Sequence, residues 1–319
     1  MNEEHNAIRS CGRRRFFSQL SAAAGASGLA WAARSAAEQS KAPAAQPLPT
    51  IALGQYRVTR LIAGSNPING YSYLGPHVDR HMKEYFTAER TVEFLQGCER
   101  AGINTHQFSA PDRTSDVLRT LRDRGSKMHF ICLHADRAGV KATVEATRPI
   151  AVVHHGGVTD RLFHEGKSGQ VRDYVKAVHD CGVLAGVSAH DPDSIRKIAD
   201  EGWEVDFFMT CFYFLTRKKV PPQETLQVSY PFFAADPAAM TRVVRQVKQP
   251  CLGFKILAAG RKCGSQEAVK EAFRFAYENI KPIDAVIVGM YPRFFDEVRA
   301  NAQFARQYAA RGEGLGAGG

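Results

Sequence analysis

The sequence predicts an α/β protein folded as a (β/α)8 TIM barrel, and three observations carry that prediction. From Leu61 onward, short apolar runs alternate strictly with amphipathic stretches, giving eight strands and eight helices. The apolar runs are continuous, as expected of parallel strands covered on both faces. No G-x-G-x-x-G follows the first run, so an open dinucleotide-binding sheet has no fingerprint in its favour.

Taken in order, Ile51–Val58 reads as a short hairpin and Leu61–Gly64 as the first buried strand. A helix spans Thr87–Ala101, capped by Thr87 and stopped at Gly102, and strand Ile103–Phe108 follows. After Ser115 a short helix carries Val117, Leu118 and Leu121 on one face, before strand His129–Leu133. A helix near Val140–Thr147, strand Ile150–Val153, helix Gln170–Cys181 and strand Leu184–Ser188 continue the pattern. Helix Asp193–Glu201, strand Val205–Met209, helix Pro237–Lys248 and strand Leu252–Ile256 come next. Helix Gln266–Ile280, strand Ala285–Val288 and helix Phe294–Arg311 complete the barrel, placed at residues 51–311. Two connections are long, Asn66–Phe86 and Phe214–Asp236, and loops of that length at strand ends build pockets. Tyr71, Tyr73, His77 and His81 in the first, with Tyr230, Phe232 and Phe233 in the second, offer aromatic walls for a sugar or another ring.

The ends read differently from the barrel. Within residues 1–37, Arg13, Arg14 and Arg15 precede Phe16 and Phe17, and a weakly apolar Ala/Gly-rich stretch runs from Leu20 to Ala33. Ser35 and Ala37 suit cleavage, so the segment resembles a twin-arginine export signal, which implies an export-machinery partner and a periplasmic or secreted location. Its apolar part is shorter than the roughly 20 residues that span a bilayer, so no stable membrane span is expected. Residues 38–50, rich in Ala, Gln and Pro, form a linker, and the Gly-rich residues 312–319 form a tail.

Of the 319 residues, 42 are Lys or Arg and 32 Asp or Glu, a net charge of +10. Part of that excess sits in the N-terminal segment, and the rest is dispersed, with no basic block longer than Arg217–Lys219. This favours a small anionic ligand over nucleic acid, for which no reading motif is present. The seven Cys residues form no C-x-x-C pair, which excludes a structural zinc finger and a disulfide framework.

The chemistry is expected at the strand ends, which form the catalytic rim of a parallel barrel. They carry His106, His134 with Asp136, His154 with His155, His190, Cys211 with Tyr213, Lys255 and Tyr291. Five of the eleven His residues fall there, too many to be an accident of composition. A catalytic divalent site needs about three protein ligands and an open position, and imidazole is the commonest ligand. His106, His134, His154 and His190, from four different strands, are therefore candidate ligands for a divalent metal such as Zn or Mn. His154, Lys255, Asp136 and Tyr213 are the candidate catalytic groups. With His154 turned to the rim, strand alternation makes His155 the structural member of that pair.

Over residues 51–303 the chain resembles the aldo-keto reductase superfamily. The matching pieces are AGINTHQFSAP (Ala101–Pro111), IAVVHH (Ile150–His155), LAGVSAHDPDSIRKIADEG (Leu184–Gly202), FKILAAGR (Phe254–Arg261) and VGMYPRFFDEVRANA (Val288–Ala302). The resemblance implies a barrel, a nicotinamide cofactor such as NADP held in part by Gly260, Arg261 and Asn301, and a carbonyl substrate. It also implies an Asp, Tyr, Lys and His tetrad, of which only His154 is present. Gln107 stands at the Asp position, Ala110, Pro111 and Asp112 occupy the stretch where Tyr is expected, and Leu133 or His134 replaces Lys. Ala189 replaces the Asn that meets the nicotinamide carboxamide. The leading expectation is thus an exported barrel enzyme using metal-assisted lyase, hydrolase or isomerase chemistry on a polar carbonyl or carbohydrate-like small molecule. Two alternatives stand beside it: an NAD(P)-dependent reductase with a rebuilt proton donor at Tyr71, Tyr73 or Tyr213, and a non-catalytic periplasmic sugar-binding barrel.

Overall fold

A computed structural model describes residues 46–110, 115–217 and 230–310. The expected signal segment, most of the linker, the tail and the middle of the loop after the sixth barrel strand lie outside these residues. No described helix is long and apolar enough to cross a membrane.

The chain enters through an antiparallel hairpin, β1 (Thr50–Leu53) and β2 (Tyr56–Thr59), turned at Gly54, whose φ of 55° favours a residue without Cβ. Eight further strands form one closed, parallel barrel in the order β10-β3-β4-β5-β6-β7-β8-β9. They are β3 (Leu61–Gly64), β4 (Thr105–Ser109), β5 (His129–His134), β6 (Ala151–His154), β7 (Leu184–Ala189), β8 (Phe207–Cys211), β9 (Cys251–Phe254) and β10 (Ala285–Gly289). This is the expected (β/α)8 barrel.

Helices α1 (Pro76–Tyr85), α2 (Ala88–Arg100), α3 (Ser115–Asp123), α4 (Val140–Thr147) and α5 (Gly156–His164) lie in the first half of the chain. Helices α6 (Gly169–His179), α7 (Pro192–Asp200), α8 (Asp236–Gln246), α9 (Gln266–Asn279) and α10 (Glu297–Ala309) lie in the second. Their starts follow capping chemistry: Thr87, Asp191, Ser265 and Asp296 each accept a backbone N–H of the first turn. Two helices depart from expectation. Helix α1 occupies what reads as a loop: none of its residues is fully buried, and its apolar face is only Val78, Met82 and Tyr85. Helix α5 starts directly after His155, since the Gly156–Gly157 pair that reads as a break forms its first turn.

Strand alternation divides the core in two. Ile62, Ile131, Ala151, Val153, Phe207, Met209, Leu252 and Ile287 face inward and pack with Ile51, Leu53 and Val58, so the hairpin plugs the N-terminal end of the barrel. The intervening residues, such as Phe108, Cys132, Val152, Val187 and Phe208, face outward and pack under the helices.

The seam between β3 and β10, where the barrel closes, is held by Arg60. Its guanidinium is 3 % exposed and donates to the carbonyls of Asp284 (2.8 Å), Ala309 (2.5 Å) and Lys281 (3.0 Å), over the ring of Tyr277. Its own carbonyl accepts from Val286 N and Tyr277 Oη. Asp284, fully buried beside it, accepts from Cys251 N (2.8 Å) and Lys281 N (2.6 Å), tying β9 into the same knot. Arg60→Met keeps the stem but strands three buried carbonyls, so a loss of about 3 kcal/mol is expected in urea denaturation.

Candidate active site

The C-terminal end of the barrel opens into a cavity of about 880 Å3. Its floor is the last inward-facing layer, Gln107 of β4, Leu133 of β5, Ser188 of β7, Met209 of β8, Phe254 of β9 and Ile287 of β10. Above them stand His155, His190 and Lys255, and the mouth carries Tyr71 (54 % exposed), Tyr230 (55 %) and Phe294 (76 %). Phe294 stacks on His81, whose Nδ1 lies 3.0 Å from Tyr291 Oη. The aromatic walls expected of the two long loops are therefore present at this mouth for Tyr71, Tyr73, His81 and Tyr230.

Alternation reassigns the paired imidazoles. Ala151 and Val153 face the barrel interior, so the next inward position is His155, which lines the cavity, while His154 faces outward with Val152. His154 is 2 % exposed, packs edge-on against Tyr174 of α6 at 4.6 Å and shares a 2.7 Å hydrogen bond between Nδ1 and Thr159 Oγ1. His106 also faces outward, with Nδ1 donating to Ala63 O at 2.9 Å. His134 reaches the cavity edge, and its Nδ1 shares a 3.2 Å hydrogen bond with Tyr174 Oη behind the wall. Only His190 of the four expected ligands stands fully on the inner side. The expected metal rim is corrected accordingly: among the described residues no three His, Cys, Asp or Glu side chains converge on a metal position.

The other expected site residues divide the same way. Lys255 lines the cavity. Asp136 does not: its Oδ1 accepts from Ala138 N in the loop before α4. Tyr213 is 3 % exposed and packs on Phe232, and burial raises its hydroxyl pKa to about 12, the opposite of an activated acid. Gly260 lines the cavity, whereas Arg261 is held by Tyr73 O, Ala258 O and the face of Phe232, and Asn301 is buried on α10 away from the lining. Of the three positions expected around a nicotinamide cofactor, only Gly260 is among the residues that line the cavity.

The group that sequence reasoning missed is Asp160 of α5, which is completely buried. Its Oδ2 accepts from His190 N (2.9 Å), His190 Nδ1 (3.0 Å) and Thr216 Oγ1 (2.7 Å), and its Oδ1 from Asp191 N (3.3 Å). This fixes the His190 tautomer with the proton on Nδ1, leaving Nε2 as the basic nitrogen on the cavity side. Gly156 makes the approach possible: a Cβ there would lie 3.1 Å from His190 Cε1 and 2.8 Å from Ser188 Oγ.

His155 and Lys255 supply the rest of the field. The His155 imidazole makes no hydrogen bond among the described residues. Its pKa is lowered by desolvation below the barrel mouth and by His190 and Lys255, against an opposing pull from Asp160. Lys255 has no carboxylate partner among the described residues, and its Nζ lies 3.8 Å from the centroid of the Tyr73 ring. Its backbone is left-handed (φ 61°), as are Ala258 (50°) and Ala259 (49°), conformations that cost about 1–2 kcal/mol each for residues with a Cβ. This strained turn aims the ammonium across the cavity instead of along the strand.

The outward His154 generates a stability prediction. Burial first, and then His155, His134 and Arg161, lower its pKa from 6.5 to about 4. Between those values the unfolded chain takes up a proton that the folded chain refuses, so stability is full above about pH 6.5 and falls toward pH 4. The loss reaches roughly 3 kcal/mol at the acid end. Thermal unfolding followed from pH 7 to 4 checks this, and His154→Gln, which keeps size and polarity but not the titration, is expected to flatten the decline.

No protein-family model matches the sequence, and no curated protein matches it either. Solved structures do match in shape. The glycerol dehydrogenase AKR11B4 from Gluconobacter oxydans superposes with a TM-score of 0.53 at 12% identity, over 82% of this chain and 89% of that one. A truncated 3-deoxy-D-arabino-heptulosonate 7-phosphate synthase from Thermotoga maritima gives 0.50 at 12% identity, over 84% and 94%. Apo Gox0644 gives 0.52 at 10% identity, over 82% and 94%. The similar structures thus include aldo-keto reductases beside other barrels, and at such identities what they share with this chain is the (β/α)8 fold.

Proposed function

We propose that this chain is an acid–base barrel enzyme that moves a proton at the carbon beside a carbonyl group of a small, polar, sugar-like substrate, the isomerase or lyase class. The observation that carries the reading is the buried Asp160–His190 pair opening onto a cavity that also holds the Lys255 ammonium. A carboxylate on Nδ1 orients the imidazole and stabilises its protonated form, so Nε2 is suited to take a proton and return it. Lys255, across the same space, faces the carbonyl oxygen and stabilises the negative charge that builds there as the proton leaves. His155, kept neutral at pH 7 by its surroundings, is suited to relay the proton between the two substrate atoms. The aromatic mouth offers flat apolar faces to the C–H side of a sugar-like ring, with Gln107 and Ser109 below to bond hydroxyls. Residues 1–37 direct the enzyme out of the cytoplasm.

Proton movement is read directly by NMR in D2O, as deuterium entering the carbon beside the carbonyl across a panel of hydroxyaldehydes, ketoses and 2-oxo sugar acids. Exchange is expected for at least one member. It falls by a factor of about 10²–10⁴ in His190→Asn, and Asp160→Asn shifts its pH profile, as expected of a positioning residue. Exchange that proceeds equally in His190→Asn, or that occurs with no panel member, overturns the assignment.

A further inference from the structure

We propose that the N-terminus of α5, together with Ser188, is a carboxylate-binding pocket, which makes the substrate a sugar-like acid rather than a neutral sugar. The proposal rests on the reading that this cavity is the substrate site, and not on which group moves the proton.

Helix α5 has nine residues, and its first two N–H groups, on Gly156 and Gly157, have no acceptor inside the helix. The next two, on Val158 and Thr159, already close on His155 O at 3.0 and 2.9 Å. Nothing else in the first turn satisfies the free pair: the His155 side chain makes no capping hydrogen bond, and the turn has no acidic residue. Both glycines line the cavity, so the positive end of the helix faces it.

Ser188 supplies the independent observation. It is 1 % exposed and lines the same cavity, and its hydroxyl has no hydrogen-bond partner among the described residues. Its Oγ points at the helix end, 2.8 Å from where a Gly156 Cβ would lie. A partnerless hydroxyl that opens onto the cavity beside two unbonded N–H groups gives the cavity three donors for an anionic acceptor. Lys255 on the same cavity adds to the attraction for a negative group. With the carboxylate held there, the carbon next to it lies on the His190 side, because Gly156 borders both Ser188 and His190.

The test uses calorimetric titration of the protein with glycolate, D-gluconate, the uncharged analogue D-glucitol, and inorganic phosphate. D-Gluconate is expected to bind more tightly than D-glucitol and than phosphate. Ser188→Ala and Gly157→Pro, the latter deleting one N–H at a helix position that accepts proline, are each expected to weaken D-gluconate about tenfold or more and leave D-glucitol unchanged. A Cβ at Gly157 meets only His155 Cε1 at an ordinary 3.4 Å, and Ser188→Ala decides the matter if Gly157→Pro does not fold. Equal affinity for D-gluconate and D-glucitol, failure of both carboxylates to bind, tighter phosphate binding, or unchanged affinity in the variants overturns the proposal. Carboxylate binding that persists while no His190-dependent exchange is found sinks the acid–base assignment alone and leaves the pocket standing.

Discussion

Closure of eight parallel strands into a single barrel imposes one rule at its rim: each side chain is either inside or outside, and the next is the reverse. The interior is filled from the hairpin plug up to the layer of Leu133, Met209 and Ile287, so only the next inward positions reach a ligand. That rule decides between His154 and His155, neighbours in sequence with opposite surroundings. One is sealed against Tyr174 and Thr159 behind the wall, and the other stands in the cavity.

Helix α5 unites what the barrel rim separates. Its second turn carries Asp160, which fixes the His190 ring and backbone and also takes the Thr216 hydroxyl from the segment after β8. Its first turn presents two N–H groups to the same cavity. Orientation of the imidazole and polarity of the cavity floor therefore depend on how one nine-residue helix sits against β7. Gly156 sets that distance, because any side chain there would strike both Ser188 and His190.

The barrel was legible because continuous apolar strands and amphipathic helices are local signals, and Thr87 caps where the residue pattern places it. Helix α1 was not, since three half-buried apolar residues, Val78, Met82 and Tyr85, make only a short stripe within a long polar connection. At the site, Lys255 and His190 stood out as polar residues ending apolar strands. The facing of His106, His134 and His154 was lost because a one-residue uncertainty in a strand's end inverts every orientation. Counting two positions on from the inward Val153 turns His155 inward. Asp160 and Ser188 left no such trace: an acid within a helix and a serine within a strand become informative only when the His190 ring and the Gly156 backbone are brought beside them.

The clasp at Arg60 joins residues that are far apart in the chain. Its hydrogen bonds span 221 to 249 positions, and the last reaches Ala309 at the end of α10. During synthesis the outer edge of β3 and this guanidinium stay unsatisfied until partners 221 to 249 residues downstream have left the ribosome. Until then the nascent barrel is an open sheet with an unpaired edge.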